Sequence, residues 1–137
     1  MDKQELERKY IEERVAVLKS LMKKHGKSVL EEASKAKQET IKKRIRQQYK
    51  NRLPLDLDEF FNETFENFEG IGEYCSYEVL DKTEKHLKVK INKCFYAEIY
   101  RSLNAADIGE AMVCRMDYAQ NEAFNQKIKC GAPRSSC

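Results

Sequence analysis

Apolar residues recur at Leu6, Tyr10, Val17, Leu18 and Leu21, spaced by three, four and seven, which predicts an amphipathic helix over residues 3–24. Lys23, Lys24 and His25 suit the negative end of that helix, and Gly26 supplies the left-handed stop. Ser28-Val29-Leu30-Glu31 then has the pattern of a capping box. A second helix is expected from about residue 29 to Lys50, with Leu30, Ala33, Ile41, Ile45 and Tyr49 as its apolar stripe. The middle of that stripe is poor in large apolar groups, so this helix is expected to be partly exposed or shared with a partner.

Pro54 ends the second helix. Leu57, Phe60, Phe61, Thr64, Phe65 and Phe68 then mark one strongly apolar helical face, with Asp56 or Asp58 as cap and Gly70 and Gly72 as stop. A phenylalanine stripe can line a ligand cavity, but such a stripe more often builds core, given the area that aromatic rings bury. The period then changes to two. Cys75, Tyr77 and Val79 alternate with Ser76 and Glu78, and Leu87, Val89 and Ile91 alternate with Lys88, Lys90 and Asn92, around a polar turn at residues 81–85. That pattern predicts an antiparallel hairpin, which must rest on helices to be stable. Two short helices follow. One spans Cys94–Leu103 with Phe95, Ile99 and Leu103 on one side, and is broken by Asn104-Ala105-Ala106. The other is capped by Asp107 and carries Ile108, Ala111, Met112, Met116 and Ala119 toward Phe124. Ile128-Lys129-Cys130 can start one more strand before the turn-like Gly131–Cys137.

Composition narrows the class. A chain of 137 residues with no repeat and no Pro/Gly-rich linker is expected to form one domain. No apolar run approaches the length of a membrane span, and the first residues carry no apolar signal region, so the cytoplasm is the expected compartment. Five cysteines, an odd number without a C-x-x-C pair, argue against a disulfide framework and weaken a zinc reading, so no metal and no cofactor are expected. Neither His25 nor His86 falls in a metal motif, and Gly70-Ile71-Gly72 is not a dinucleotide fingerprint. The net charge of +3 hides an asymmetry. Residues 1–52 hold 16 Lys/Arg against 8 Asp/Glu, whereas residues 53–137 hold 10 against 15. Acids are interleaved with the bases and no stacking platform accompanies them, so nucleic acid is not the expected partner. The two parts can instead dock on each other, within one chain or across a homodimer formed by the N-terminal helices.

Candidate chemistry falls between Cys94 and Asn125. Cys94 and Glu98 are four apart on one predicted helix, and Cys114 and Asp117 are three apart on the next, so each pair shares a helical face. Cys94 also stands at a helix N-terminus, where the dipole favours thiolate. A thiolate can attack a carbon electrophile, and a carboxylate can position water or move protons. Against this, a free cysteine taken alone is more often a small buried hydrophobe than a nucleophile.

The same stretch carries a resemblance. Cys94-Phe95-Tyr96-Ala97-Glu98-Ile99-Tyr100-Arg101-Ser102-Leu103 is followed by Asp107-Ile108-Gly109-Glu110-Ala111-Met112-Val113-Cys114-Arg115-Met116-Asp117 and then by Glu122-Ala123-Phe124-Asn125. In order and spacing this resembles the bacterial L-2-amino-thiazoline-4-carboxylic acid hydrolase family. The resemblance implies a fold of long helices followed by strands, and an activity that opens a thiazoline ring by adding water. It points to Cys94, Glu98, Cys114 and Asp117 as catalytic residues and to Tyr96, Phe124 and Asn125 as substrate-binding ones. Family members usually continue with a strand, a glycine turn and a cysteine that begins a last aromatic-rich strand. Here Cys130 precedes Gly131, so a shortened C-terminal part is expected.

The resulting expectation is an α+β fold. A basic helical hairpin at 1–52 and an α+β core at 53–137 form one domain. N-terminal helices pack with a small antiparallel sheet, and two short helices carry the Cys/carboxylate set. The expected function is a small-molecule hydrolase of a thiazoline-like or cyclic amidine-like ring. The alternatives are a non-catalytic small-molecule-binding module and a protein that interacts through its helical hairpin.

Overall fold

The computed structural model describes residues 2–67 and 71–129, the side chain of Ile71 excepted. Helix α1 (Lys3–His25) opens with Asp2, whose carboxylate accepts from the Glu5 backbone N–H at 2.8 Å. It ends at Gly26, where φ is 91°. Such an angle is open to glycine without strain, so the predicted stop is present. Helix α2 (Ser28–Gln48) begins one residue earlier than the capping-box pattern requires. Ser28 is its first helical residue, Lys27 occupies the cap position, and no side chain caps the end.

The buried face of α1 differs from the predicted one. Ile11, Val15 and Leu18 are buried, while Leu6, Tyr10, Val17 and Leu21 are exposed. The helix carries two apolar stripes, and periodicity alone does not choose between them. Contact with α2 and with the later helix bearing Tyr100 decides it: Ile11, Val15 and Leu18 join Leu30, Ile99, Tyr100, Ile108, Ala111 and Met112 in one hydrophobic cluster.

The chain leaves α2 through a cis Leu53–Pro54 bond. Helix α3 (Leu57–Phe61) has a full capping box: Asp56 accepts from the Glu59 N–H, and the Glu59 carboxylate accepts from the Asp56 N–H. It runs into a π-helical turn, Asn62–Glu66. Phe60, Phe61, Thr64 and Phe65 are buried, so the stripe is core, as the area argument predicts. Phe68 and Gly70 lie outside the described residues. Strands β1 (Cys75–Lys82) and β2 (Leu87–Cys94) form the predicted antiparallel hairpin. Cys75 pairs with Cys94, and Tyr77 with Ile91. Tyr77 rests on Phe65 and Phe61 at ring separations of 5.1 and 6.4 Å, which anchors one end of the sheet to the α3 region. The far end is bare, with Val79 41% and Leu80 49% exposed.

Helix α4 (Phe95–Ser102) follows directly, with Cys94 at its cap position. Asn104, at φ 53°, turns the chain into the next helix, in the left-handed region that asparagine tolerates better than most residues. The predicted Asp107 cap is not used, because the cap position is Ala105. Helix α5 (Ala106–Gly109), a π-helical turn (Glu110–Cys114) and helix α6 (Arg115–Phe124) follow without a break. Ile128 and Lys129 form no strand. The expected shortening at Cys130–Cys137 lies outside the described residues. Helix α6 packs along α2, and α4 packs on α1 and α5. The architecture is α+β, predominantly helical with a two-stranded sheet. Among the described residues no helix is long and apolar enough to cross a membrane.

Candidate functional site

The two hydrophobic clusters separate the predicted site residues. Tyr96 packs against the first cluster. Phe124 belongs to the second, with Ile45, Leu55, Phe60 and Ala123. Its ring meets Tyr49 edge-on at 5.1 Å and Phe60 at 6.1 Å. Asn125 ends α6, and its side-chain amide donates to the Leu55 carbonyl at 2.9 Å while its oxygen accepts from the Lys127 N–H. The Leu55 N–H in turn donates to the Phe124 carbonyl at 3.0 Å. Phe124 and Asn125 therefore hold the 53–55 segment onto α6.

Glu98 is exposed, 3.9 Å from the Lys93 ammonium. Asp117 is half-buried on α6. Cys114 is buried and disulfide-bonded, although the odd cysteine count argued against a disulfide framework. Its sulfur is not a thiol in this state, so it cannot act as a nucleophile. Cys75 and Cys94 are thiols outside any disulfide. Paired across the hairpin, they share one face of the sheet.

Around these thiols lies an aromatic group. Tyr74, Phe95 and Tyr96 have ring separations of 5.3 to 5.6 Å. The Phe95 N–H donates to the Tyr74 carbonyl at 2.9 Å, which pins the start of α4 to the start of β1. Burial pushes the Tyr96 phenol well above the ordinary tyrosine value, with the fields of Glu7, Tyr74, Cys75 and Tyr100 adding to it. Tyr96 therefore keeps its proton and is a hydrogen-bond donor at neutral pH. Tyr100, almost fully buried, is also pushed up by burial, and the Arg14 guanidinium opposes this by donating to its oxygen at 3.2 Å.

A polar seam runs between α2 and the π-helical turn 110–114. The Ser34 hydroxyl, fully buried, donates to the Ala111 carbonyl at 2.6 Å and accepts from Gln38 at 3.1 Å. The Lys37 ammonium donates to the Met112 carbonyl at 2.6 Å. Both carbonyls belong to the π-helical turn 110–114, where the regular i to i+4 ladder is interrupted. Burial lowers the Lys37 amine to about 8, with Arg14 and Arg44 lowering it further and Glu7 raising it.

Sequence reading missed Glu7, Arg14, Ser34 and Lys37. One signal was present: Ser34 and Lys37 stand inside the apolar stripe of α2, where packing alone calls for large apolar residues. Among the described residues no group of three or more His, Cys, Asp or Glu is placed to hold a metal ion.

Comparison with known families adds the decisive observation. The model of the L-2-amino-thiazoline-4-carboxylic acid hydrolase family matches residues 4–134. The chain belongs to this family. The match runs through both N-terminal helices, the hairpin and the α4–α6 segment, so these helices are part of the family unit. No curated protein and no solved structure matches the chain. In this member of the L-2-amino-thiazoline-4-carboxylic acid hydrolase family, Cys94 and Tyr96 sit together at the junction of β2 and α4.

Proposed function

We propose that the chain is a small-molecule hydrolase that opens a thiazoline-like or cyclic amidine-like ring with water. The family match over residues 4–134 carries this reading. The grouping of the Cys94 thiol, which is in no disulfide, with the half-buried phenol of Tyr96 supports it.

In the net reaction the water oxygen bonds to the amidine carbon. The bond from that carbon to a ring heteroatom breaks, and the heteroatom takes up a proton. Cys94 serves as the nucleophile or as the thiol that orients the ring. Tyr96 donates a hydrogen bond to the charge that develops on the ring. Glu98, one helical turn beyond Cys94, exchanges protons with solvent. Cys114, Asp117, Phe124 and Asn125 are given no chemical step.

The test is incubation of purified protein with L-2-amino-thiazoline-4-carboxylate, followed by mass spectrometry for the water-added product. Turnover is expected in the wild type and in Cys114→Ala, and its loss is expected in Cys94→Ala. Equal rates in wild type and Cys94→Ala remove the thiol from the mechanism. A second reading, a binding module without chemistry, is favoured by the disulfide at Cys114 and the surface position of Glu98. It predicts thermal stabilisation that grows with ligand concentration and no product.

A further inference from the structure

Helix α1 presents an apolar stripe on its open side. Leu6 is 42% exposed, Tyr10 53%, Val17 57% and Leu21 39%. At about 100° per residue the four fall within an arc of about 60°, so they form one line along the helix. A single exposed leucine is ordinary. Here four of the seven large apolar side chains exposed among the described residues stand in that one line. The other three, Val79, Leu80 and Tyr118, are divided between β1 and α6. Ile11, Val15 and Leu18 already occupy the core with the other stripe of α1. A helix that is apolar on two sides is suited to packing on both.

The spacing says what fits the open side. Successive members of the line are four, seven and four residues apart. That series reads the same in both directions, with its midpoint between Glu13 and Arg14. A second copy of α1 laid antiparallel across that midpoint sets Leu6 against the partner's Leu21 and Tyr10 against the partner's Val17, each contact occurring twice. Charge favours this direction over the parallel one. Residues 3–13 hold four glutamates and three cations, whereas residues 14–25 hold Arg14, Lys19, Lys23 and Lys24 and no carboxylate. Parallel helices would bring the two cationic halves together. Antiparallel helices bring each cationic half beside the half that holds the glutamates, and their dipoles oppose as well.

We infer that α1 is the interface of a twofold antiparallel homodimer, in which the lines of Leu6, Tyr10, Val17 and Leu21 from two copies interlock. The seam is a single helix of 23 residues, about 34 Å long. It belongs to the small class of specific interfaces, so a dissociation constant of about 1–100 μM is expected. The inference stands apart from the hydrolase reading, because none of the four side chains belongs to the group around Cys94.

The experiment is sedimentation equilibrium of the full chain from about 1 to about 200 μM near physiological salt, where the interface class sets the range. The mass should rise from 16.1 kDa toward twice that value. Val17→Glu places a charge in the middle of the line and should weaken association about tenfold or more. Val17 is more than half exposed and glutamate is a good helix former, so the folded monomer should melt as the wild type does. Direction is read from an equimolar mixture of Tyr10→Cys and Val17→Cys chains under mild oxidation. Peptide mass mapping should find a 10–17 cross-link between chains. A mass of 16.1 kDa throughout the range, which needs no variant to observe, overturns the inference. So does association left unchanged in folded Val17→Glu. Cross-links of 10 to 10 or 17 to 17 in place of 10 to 17 overturn the antiparallel register.

Discussion

The Ser34 hydroxyl, fully buried on α2, donates to the Ala111 carbonyl at 2.6 Å. This bond, with its neighbour from Lys37 to Met112, fastens α2 to the π-helical turn. Replacing Ser34 by alanine leaves the Ala111 carbonyl buried without that donor. A loss of about 1–3 kcal/mol is expected, the cost of stranding one buried polar group. Urea denaturation of Ser34→Ala measures it, and a midpoint equal to wild type would show that the π turn does not depend on α2.

Gly109 lets α5 lie directly on the Tyr100 ring. A Cβ added at Gly109 would stand 2.8 Å from the ring's Cγ and 2.9 Å from its Cβ. Both atoms are buried, so the ring must shift. Gly109→Ala should therefore cost about 1–3 kcal/mol, as for other overpacked sites. The paired variant Gly109→Ala with Tyr100→Leu should recover part of the loss, because the offending ring is gone. Thermal melts of the single and double variants decide the point.

Glu63 gathers three donors: the Tyr49 hydroxyl at 2.8 Å, the Asn67 amide at 2.9 Å and the Arg52 guanidinium at 3.0 Å. Partial burial pushes its carboxyl up, but the hydrogen bonds from Tyr49, Asn67 and Arg52 outweigh that and leave it below the ordinary value. A carboxyl lowered on folding contributes stability that is fully present above the unfolded value. The contribution fades as pH falls through the folded value. Stability of the wild type should thus drop below about pH 4.5, the unfolded value, and Glu63→Gln should flatten that drop. Denaturation midpoints between pH 3 and pH 6 test it.

Lys37 acts in the opposite direction. Its folded value of about 8 lies below the ordinary 10.5. Between those values the unfolded chain binds a proton that the native chain has released. Stability from this group therefore rises as pH increases from about 8 toward 10.5. Charged and titratable neighbours on α1, α2 and α4 are Glu7, Arg14, Arg44, Tyr96 and Tyr100. The two phenols hold their protons longer in the native state, so they oppose the rise above pH 10. Lys37→Met should abolish the increase between pH 8 and pH 10. An unchanged slope would mean that the Lys37 amine is fully solvated.

The thiols should differ in reactivity. Cys94 is half-buried, Cys75 is buried, and Cys114 is held in a disulfide. Iodoacetamide on the native chain should label Cys94 before Cys75, and Cys114 only after a reductant is added. Peptide mass mapping reads the order, and early labelling of Cys114 without a reductant would contradict the disulfide.

Local patterns were enough to place the helices, the hairpin and the stop at Gly26, because each rests on periodicity and turn chemistry within a few residues. The family was legible for the same reason, since its pattern is a set of spacings along α4 to α6. Local pattern failed wherever two solutions were locally equal. Helix α1 carries an apolar stripe through Leu6 and Val17 and another through Ile11 and Val15, and only packing against α2 and α4 buried the second.

The site divides along the same line. Cys94 and Tyr96 are two residues apart at the junction of β2 and α4, so their nearness is local. Glu98 shares that helix, yet its side chain ends in water beside Lys93. Cys114 was ranked with Cys94 because residue type and spacing cannot reveal a disulfide. Arg14 and Lys37 come from separate helices, and each finds its partner, the Tyr100 hydroxyl or the Met112 carbonyl, only in the folded chain. The sequence by itself determined which segments are helix and strand and which family they compose. The tertiary structure alone decided which charges are left half-buried without an acid, because burial and pairing belong to the assembled helices and to no single one of them.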